Sequence, residues 1–140
     1  MAEMTVKDFY AFMNRQSLGV ISTVDANGNP EAAVVGFGQT EKLELVFGTD
    51  NTTRKYANLQ SNTRVAFVIG WSDEGTIQYE GVVRELRDDE LDIVRNSYWK
   101  KTPRAEKFGT ETNRYFIVTP TWIRFTALNT KPWTISELRF

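Results

Sequence analysis

Cysteine and histidine are both absent from the 140 residues. Without cysteine there is no disulfide, no thiolate nucleophile and no Cys-ligated zinc. Without histidine, Ser-His triads, His-ligated zinc and His-ligated haem are excluded. Chemistry that survives these exclusions belongs to a borrowed cofactor rather than to a side-chain constellation. Neither sign of charge dominates: 17 Lys and Arg against 18 Asp and Glu leave a net charge of −1. No overall pull toward nucleic acid or an anionic membrane follows. No apolar run approaches membrane-spanning length, and Met1–Arg15 lacks the basic start and apolar centre of a secretory leader. A cytoplasmic location is the expectation.

What is present reads as one globular domain. Hydrophobic residues make up 41% and charged residues 25%. A chain of this length buries about two thirds of its unfolded surface. Four Trp, five Tyr and nine Phe suit either stacking on a planar ligand or a large oligomer interface.

Thr5 and Asp8 have the spacing of a capping box ahead of a helix to about Arg15, with Val6, Phe9, Tyr10 and Met13 on one face. That face is expected to lid a barrel end. Leu18–Asp25 is a strand with Leu18, Val20, Ser22 and Val24 on one side. Asp25-Ala26-Asn27-Gly28-Asn29-Pro30 is a hairpin signal, because Asn-Gly tolerates positive φ. Glu31–Gly38 returns, its Gly36 and Gly38 marking a bulge or a close approach. After a turn at Asp73-Glu74-Gly75, Thr76–Leu86 is a long strand with Gly81 at a bend. A helix from Asp88 or Asp89 to Lys101 turns Leu91, Val94 and Tyr98 inward. Thr102–Asn113 reads as a mobile connection. Tyr115–Thr119 and Trp122–Leu128 are strands split by Pro120, and Trp133–Leu138 is the last. Hairpins without regular βαβ alternation predict a mainly β, antiparallel barrel with peripheral helices.

The chain is organised around Leu43–Trp71. Leu43, Leu45 and Phe47 alternate as a strand, which breaks at Gly48-Thr49-Asp50-Asn51. A helix starts at Thr52 or Thr53, with Arg54 and Lys55 in its first turn. Arg64–Trp71 is a nearly unbroken apolar run, expected to be buried on both faces. Helix N-termini present free N–H groups and partial positive charge, which suits a phosphate. Arg54 adds a planar fork and Lys55 a mobile point charge. The plainer alternative is a capped surface helix carrying two solvated cations.

Phe47-Gly-Thr-Asp-Asn-Thr-Thr-Arg-Lys55 resembles the Phe-Tyr-Thr-Asn-x-x-Ser-Arg-Lys segment of the pyridoxamine 5′-phosphate oxidase-like, FMN-binding split-barrel family, with Thr53 at its Ser. Arg64–Trp71 resembles the strand that follows in that family. The likeness runs from Leu18 to Trp122 and is strongest from Pro30 to Gly81. It implies a homodimer of six-stranded Greek-key split barrels with two FMN molecules at the subunit interface. Carried over, Thr49, Thr53, Arg54 and Lys55 hold the phosphate end, with Gly48 beside them among the cofactor-binding positions. Val34, Val35 and Gly36 run along the isoalloxazine edge with their backbone. Thr76 falls at a flavin-contacting Gln that usually serves the other subunit, and Gln78 faces the same way; ordinary outward strand positions are the alternative for both.

The departures are specific. The oxidase has an Arg and a Lys where this chain has Ala33 and Gly38, which leaves Arg54 and Lys55 with most of the phosphate charge. The oxidase's C-terminal Arg-x-His pair is missing, which argues against pyridoxamine phosphate oxidation. Tyr98–Arg104 loosely resembles part of the oxidase's substrate pocket. Trp71, Trp99, Trp122 and Trp133 are candidates to cover a flavin face, with core or dimer packing the alternative for each. No catalytic acid or base is assigned. The resulting expectation is an FMN-dependent oxidoreductase that takes electrons from a reduced nicotinamide or organic donor, with no nucleic-acid or membrane partner. A non-catalytic FMN or deazaflavin binder, and a dimer that has lost its cofactor, are the alternatives.

Overall fold

The computed structural model describes residues 3–107 and 109–140. Its strands are β1 Leu18–Val24, β2 Pro30–Gly36, β3 Gly38–Gln39, β4 Leu45–Asp50, β5 Arg64–Ser72, β6 Gly75–Glu85, β7 Asn113–Ala127 and β8 Thr134–Arg139. The helices are α1 Val6–Asn14, α2 Arg54–Ser61, a short α3 Leu91–Val94 and a one-turn α4 Arg104–Lys107. The strands make one antiparallel sheet in the order β2-β1-β5-β6-β7-β4-β3, with β8 added to β7. Among the described residues β2 and β3, the two ends of that order, share no ladder, although β2 comes close to β4. The sheet is therefore curled but open along β2, as a split barrel is.

Local chemistry explains several elements. Thr5 caps α1 reciprocally, its N–H donating to Asp8 Oδ2 at 2.8 Å while its hydroxyl accepts from Asp8 N at 3.2 Å. At the β1–β2 hairpin, Asp25 Oδ1 accepts from the backbone N–H groups of Asn27 and Asn29, both at 2.9 Å. Gly28 takes φ +85°, a conformation that needs glycine. Phe9, Phe12 and Met13 are the buried face of α1, whereas Val6 of the expected face is exposed.

Most of the phenylalanine content builds the core. Phe47 stacks on Phe116 at 5.3 Å between centroids and meets Phe67 edge-on at 5.9 Å. Phe12 and Phe125 close the same cluster edge-on at 5.0 Å, so α1 packs directly into it. Each such burial stabilises by roughly 1.5–3 kcal/mol. The Tyr79 hydroxyl, buried among them, donates to Leu43 O at 2.8 Å. A smaller cluster of Val46, Leu86, Val94 and Ile117 seats α3 on the other side of the sheet.

Five expectations are corrected. β5 is buried on one face only: Val65, Phe67 and Ile69 point inward, while Val68 and Trp71 are exposed. β4 begins at Leu45, because Leu43 sits in a turn at φ +64° with its N–H on Thr40 O. The return strand divides into β2 and β3 at Phe37. Pro120 does not split β7; the register shifts there, pairing Glu80 with Trp122 and Gly81 with Pro120. Thr121 is the extra residue, its hydroxyl donating to Glu80 O at 3.1 Å, and a bulge is where a strand tolerates proline. Finally, Thr102–Asn113 carries α4 and is tied down, with Thr110 and Thr112 hydroxyls donating to Asp50 Oδ2 at 2.9 and 2.6 Å. Phe108 of that segment lies outside the described residues.

The Asp88–Lys101 helix is irregular: a 3-10 turn at Asp88–Glu90, then α3, then a π turn at Arg95–Trp99. Val94 is buried; Leu91 and Tyr98 are partly so. No helix among the described residues is long and apolar enough to cross a membrane.

Candidate functional site

Thr53, not Thr52, caps α2: its hydroxyl accepts from Tyr56 N at 3.1 Å and lies 2.8 Å from the Thr49 hydroxyl. The cap places Arg54 and Lys55 in the first turn, which holds no acidic residue to offset them. Two cations at that end of a helix oppose its dipole unless an anion compensates them. Both line one cavity of about 590 Å³, together with Thr53, Ile21, Thr23 and the run Pro30–Ala33 of β2. The cavity therefore lies in the split of the barrel, between the start of α2 and the edge strand.

The two cations differ. Arg54 is ion-paired to Glu31, and the side chains are 80% and 19% exposed respectively. Lys55 is half-buried and, among the described residues, no carboxylate lies within ion-pair distance of it. Burial lowers its ammonium from the ordinary lysine range. Arg54, and then Asn58, hold the Glu31 carboxyl below the usual glutamate range. Asn58 is buried, and its Nδ2 donates to Glu31 Oε1 at 2.8 Å and to Thr23 Oγ1 at 2.9 Å.

Of the positions picked out by sequence, Thr53, Arg54 and Lys55 meet in the cavity. Thr49 is buried against Thr53 rather than lining it. Gly48 packs under Tyr115, where an added Cβ would lie 2.7 Å from the ring. Val35 is buried, and Gly36 lies under Tyr98, its Cβ position 2.6 Å from that hydroxyl. Val34 faces outward, 61% exposed. Sequence reasoning missed Glu31, because nothing local links it to Arg54, a partner brought close only by the sheet.

Thr76 and Gln78 are not brought to this cavity. Val34, Val20, Val68 and Gln78 pair in turn across β2, β1, β5 and β6, so they share the outer face. Three strand spacings, roughly 14 Å, separate Gln78 from Val34. Leu18, Val34, Val68 and Val82 put exposed apolar side chains on this outer face, among exposed Arg64, Gln78 and Glu80. Trp71 and Trp133 are exposed as well. Trp122 is half-buried beneath the Arg124 guanidinium, 5.2 Å from its ring. Trp99 meets Tyr115 edge-on at 5.5 Å, and its buried Nε1 has no hydrogen-bond partner among the described residues.

The model of the family described as pyridoxamine 5′-phosphate oxidase matches residues 6–127. The chain belongs to that family. A pyridoxine/pyridoxamine 5′-phosphate oxidase from Bordetella avium is 32% identical over 90 residues, covering 64% of this chain and 41% of that enzyme. The chain thus matches less than half the length of this relative. Among solved structures, a heme binding protein from Mycobacterium smegmatis superposes with a TM-score of 0.81 at 15% identity, covering 99% of this chain and 60% of that one. General Stress Protein 26 from Bacillus anthracis gives 0.69 at 20% identity, covering 96% and 98%. An FMN binding protein related to pyridoxamine 5′-phosphate oxidase, from Nostoc punctiforme, gives 0.66 at 14% identity, covering 94% and 93%. At such identities the structures speak to the fold alone.

Two departures from the oxidase pattern now have a physical setting. Ala33 lines the cavity, so no third cation enters it from β2. Gly38 is buried under the π turn, where a Cβ would lie 2.4 Å from Tyr98 N. A lysine there requires this oxidase-family chain to move Ser97 and Tyr98.

Proposed function

We propose that this oxidase-family chain binds FMN and transfers electrons through it. The observation that carries the reading is the pairing of an uncompensated, half-buried Lys55 with Thr53 and Arg54 in one cavity along the open edge of the barrel. A phosphomonoester supplies the anion that the first turn of α2 lacks. Lys55 and Arg54 bind its oxygens, the Thr53 hydroxyl and the α2 N–H groups orient it, and β2 offers unpaired backbone groups along the split. Flavin, when bound, supplies hydride and single-electron chemistry that no side chain here provides.

The exposed apolar outer face supports a second element of the reading, a homodimer packed through β2, β1, β5 and β6. In such a dimer Thr76 and Gln78 serve the partner's flavin, consistent with their distance from their own chain's cavity. The substrate is then a small redox-active organic molecule or a reduced nicotinamide, admitted at the cleft between subunits. The cytoplasm is the matching compartment. The oxidase reaction on pyridoxamine phosphate is not part of the proposal.

The test is an absorption spectrum of the purified protein before and after incubation with FMN, followed by stopped-flow reduction with NADH and NADPH. Flavin bands in the protein fraction and reduction faster than that of free FMN are expected. A protein that stays colourless defeats the reading. A yellow protein reduced no faster than free FMN is a binder without turnover, and a deazaflavin chromophore released on denaturation changes the cofactor.

A further inference from the structure

Glu31 stands inside the cavity as a fixed anion. Its two carboxylate oxygens have different partners: Oε1 accepts from Asn58 Nδ2 at 2.8 Å, and Oε2 is ion-paired to Arg54. Asn58 is itself buried, with the same Nδ2 on Thr23 Oγ1, so the glutamate is held from the protein side. Arg54 is the opposite case, a long side chain that remains largely in solvent. Of the two partners, the cation is the one free to move.

The charge in the cavity is thus unevenly committed. Lys55 is available, while Arg54 is already neutralised. A dianionic phosphomonoester calls on both cations, and at Arg54 it competes with a carboxylate for the same guanidinium. We infer that Glu31 is a resident phosphate mimic, which holds Arg54 and is exchanged for the phosphate on binding. Resting on the FMN reading above, the inference makes Glu31 a determinant of affinity and selectivity. An incoming group must outcompete a built-in carboxylate, so the cavity favours a dianionic phosphate over singly charged anions.

After the exchange Glu31 keeps its bond to Asn58 but loses its cation and faces a like charge. Removing that charge while keeping the amide contact removes the competitor. Glu31→Gln is therefore expected to bind FMN about two- to fivefold more tightly, the scale of one competing, partly exposed ion pair. Riboflavin, which lacks the phosphate, is expected to bind the variant and the original chain alike. In an Arg54→Ala background the gain from Glu31→Gln should be smaller, because the exchange has lost its cation and only the like-charge repulsion is left to relieve.

Fluorescence titrations with FMN and with riboflavin on the four proteins of this cycle decide the matter. If the original chain prefers FMN to riboflavin yet Glu31→Gln binds FMN equally or more weakly, the exchange is wrong and the phosphate site stands. If neither protein prefers FMN to riboflavin, the phosphate site falls and the inference with it. Should Glu31→Gln fail to fold, Glu31→Ser removes the carboxylate outright while Asn58 keeps its bond to Thr23 Oγ1. It must then bind FMN more tightly than the original chain for the inference to stand.

Discussion

Arg54 and Lys55 are neighbours in sequence and face one cavity, but only Arg54 meets a carboxylate. The asymmetry follows from where β2 runs: its Glu31 reaches the outer of the two cations, while Lys55 turns into the split without a counter-ion. A surface helix with two solvated charges would show neither the shared cavity nor the half-buried amine.

Replacing both cations separates these alternatives. Arg54→Ala with Lys55→Ala is expected to weaken FMN binding by about 2–5 kcal/mol, the range for truncating charge-assisted contacts. Calorimetry measures it, with riboflavin as the control that should change little. Unchanged FMN affinity removes the phosphate assignment.

Thr53 acts on the same site through the backbone. Its hydroxyl caps Tyr56 N and contacts Thr49, so Thr53→Ala removes a cap and leaves the buried Thr49 hydroxyl without that partner. A loss of about 1–2 kcal/mol in unfolding free energy is expected from denaturant titration. Thr53→Ser, which keeps the hydroxyl, should recover most of it.

The features readable in the sequence were those set by near neighbours. Thr5 and Asp8 cap across three residues, Asn27-Gly28 turns in place, and the Thr53 cap is decided within one helical turn. The meeting of Thr53, Arg54 and Lys55 in one cavity was legible for the same reason, since the three are contiguous. Contacts made by the sheet were not. Glu31 and Arg54 meet only because β2 begins beside α2, and no spacing announces it. Arg64–Trp71 looked buried on both sides because its outward Ala66, Val68 and Trp71 are apolar, although Val68 and Trp71 are exposed. Pro120 looked like a strand end because the bulge that accommodates it depends on Gly81 in another strand, where a Cβ would lie 2.5 Å from Thr119 O.

Gly38 shows how tightly the π turn rests on the sheet. An added Cβ would lie 2.4 Å from Tyr98 N and 2.5 Å from Tyr98 Cα, both backbone atoms that cannot swing aside. Gly38→Ala is expected to destabilise by about 1–3 kcal/mol, the usual range for overpacking. Because the same turn sets Tyr98 against Gly36, fluorescence of Trp99 should shift along with the melting temperature.

Lys101 gives the fold a dependence on pH. Its Nζ donates to Gln39 Oε1 at 2.6 Å and Met13 O at 3.3 Å, and lies 3.6 Å from the Phe37 ring centroid. These acceptors seat the ammonium but do not replace its hydration, and burial lowers its pKa to about 7. The folded value lies below the ordinary lysine value, so between the two the folded chain binds fewer protons than the unfolded one. This group's contribution to stability therefore rises with pH from about 7 toward the ordinary lysine value and is flat below about 7. Lys101→Met should flatten that rise, which urea denaturation at pH 7 and pH 9.5 measures. An unchanged slope in the variant shows that Lys101 is not its source.

Val68 tests the outer face. It lies between Val20 and Gln78 in the row that crosses β1, β5 and β6, and it is 39% exposed in the single chain. If two copies pack through this face, a charge at its centre is stripped of water without a partner. Val68→Glu is then expected to raise the dimer dissociation constant by about tenfold or more, since unpaired interfacial charge is among the costliest changes a dimer meets. Inside the single chain the same substitution touches no core residue, because the side chain points away from Phe67 and Ile69, so the melting temperature of the monomer should change little. Sedimentation velocity across a concentration series reads the dimer, and FMN titration of the same samples reads the second half of the site. Loss of the dimer together with FMN affinity places the flavin between subunits. A dimer that survives Val68→Glu moves the interface elsewhere, and a monomer that keeps full FMN affinity confines the cofactor to the cavity of Thr53, Arg54 and Lys55.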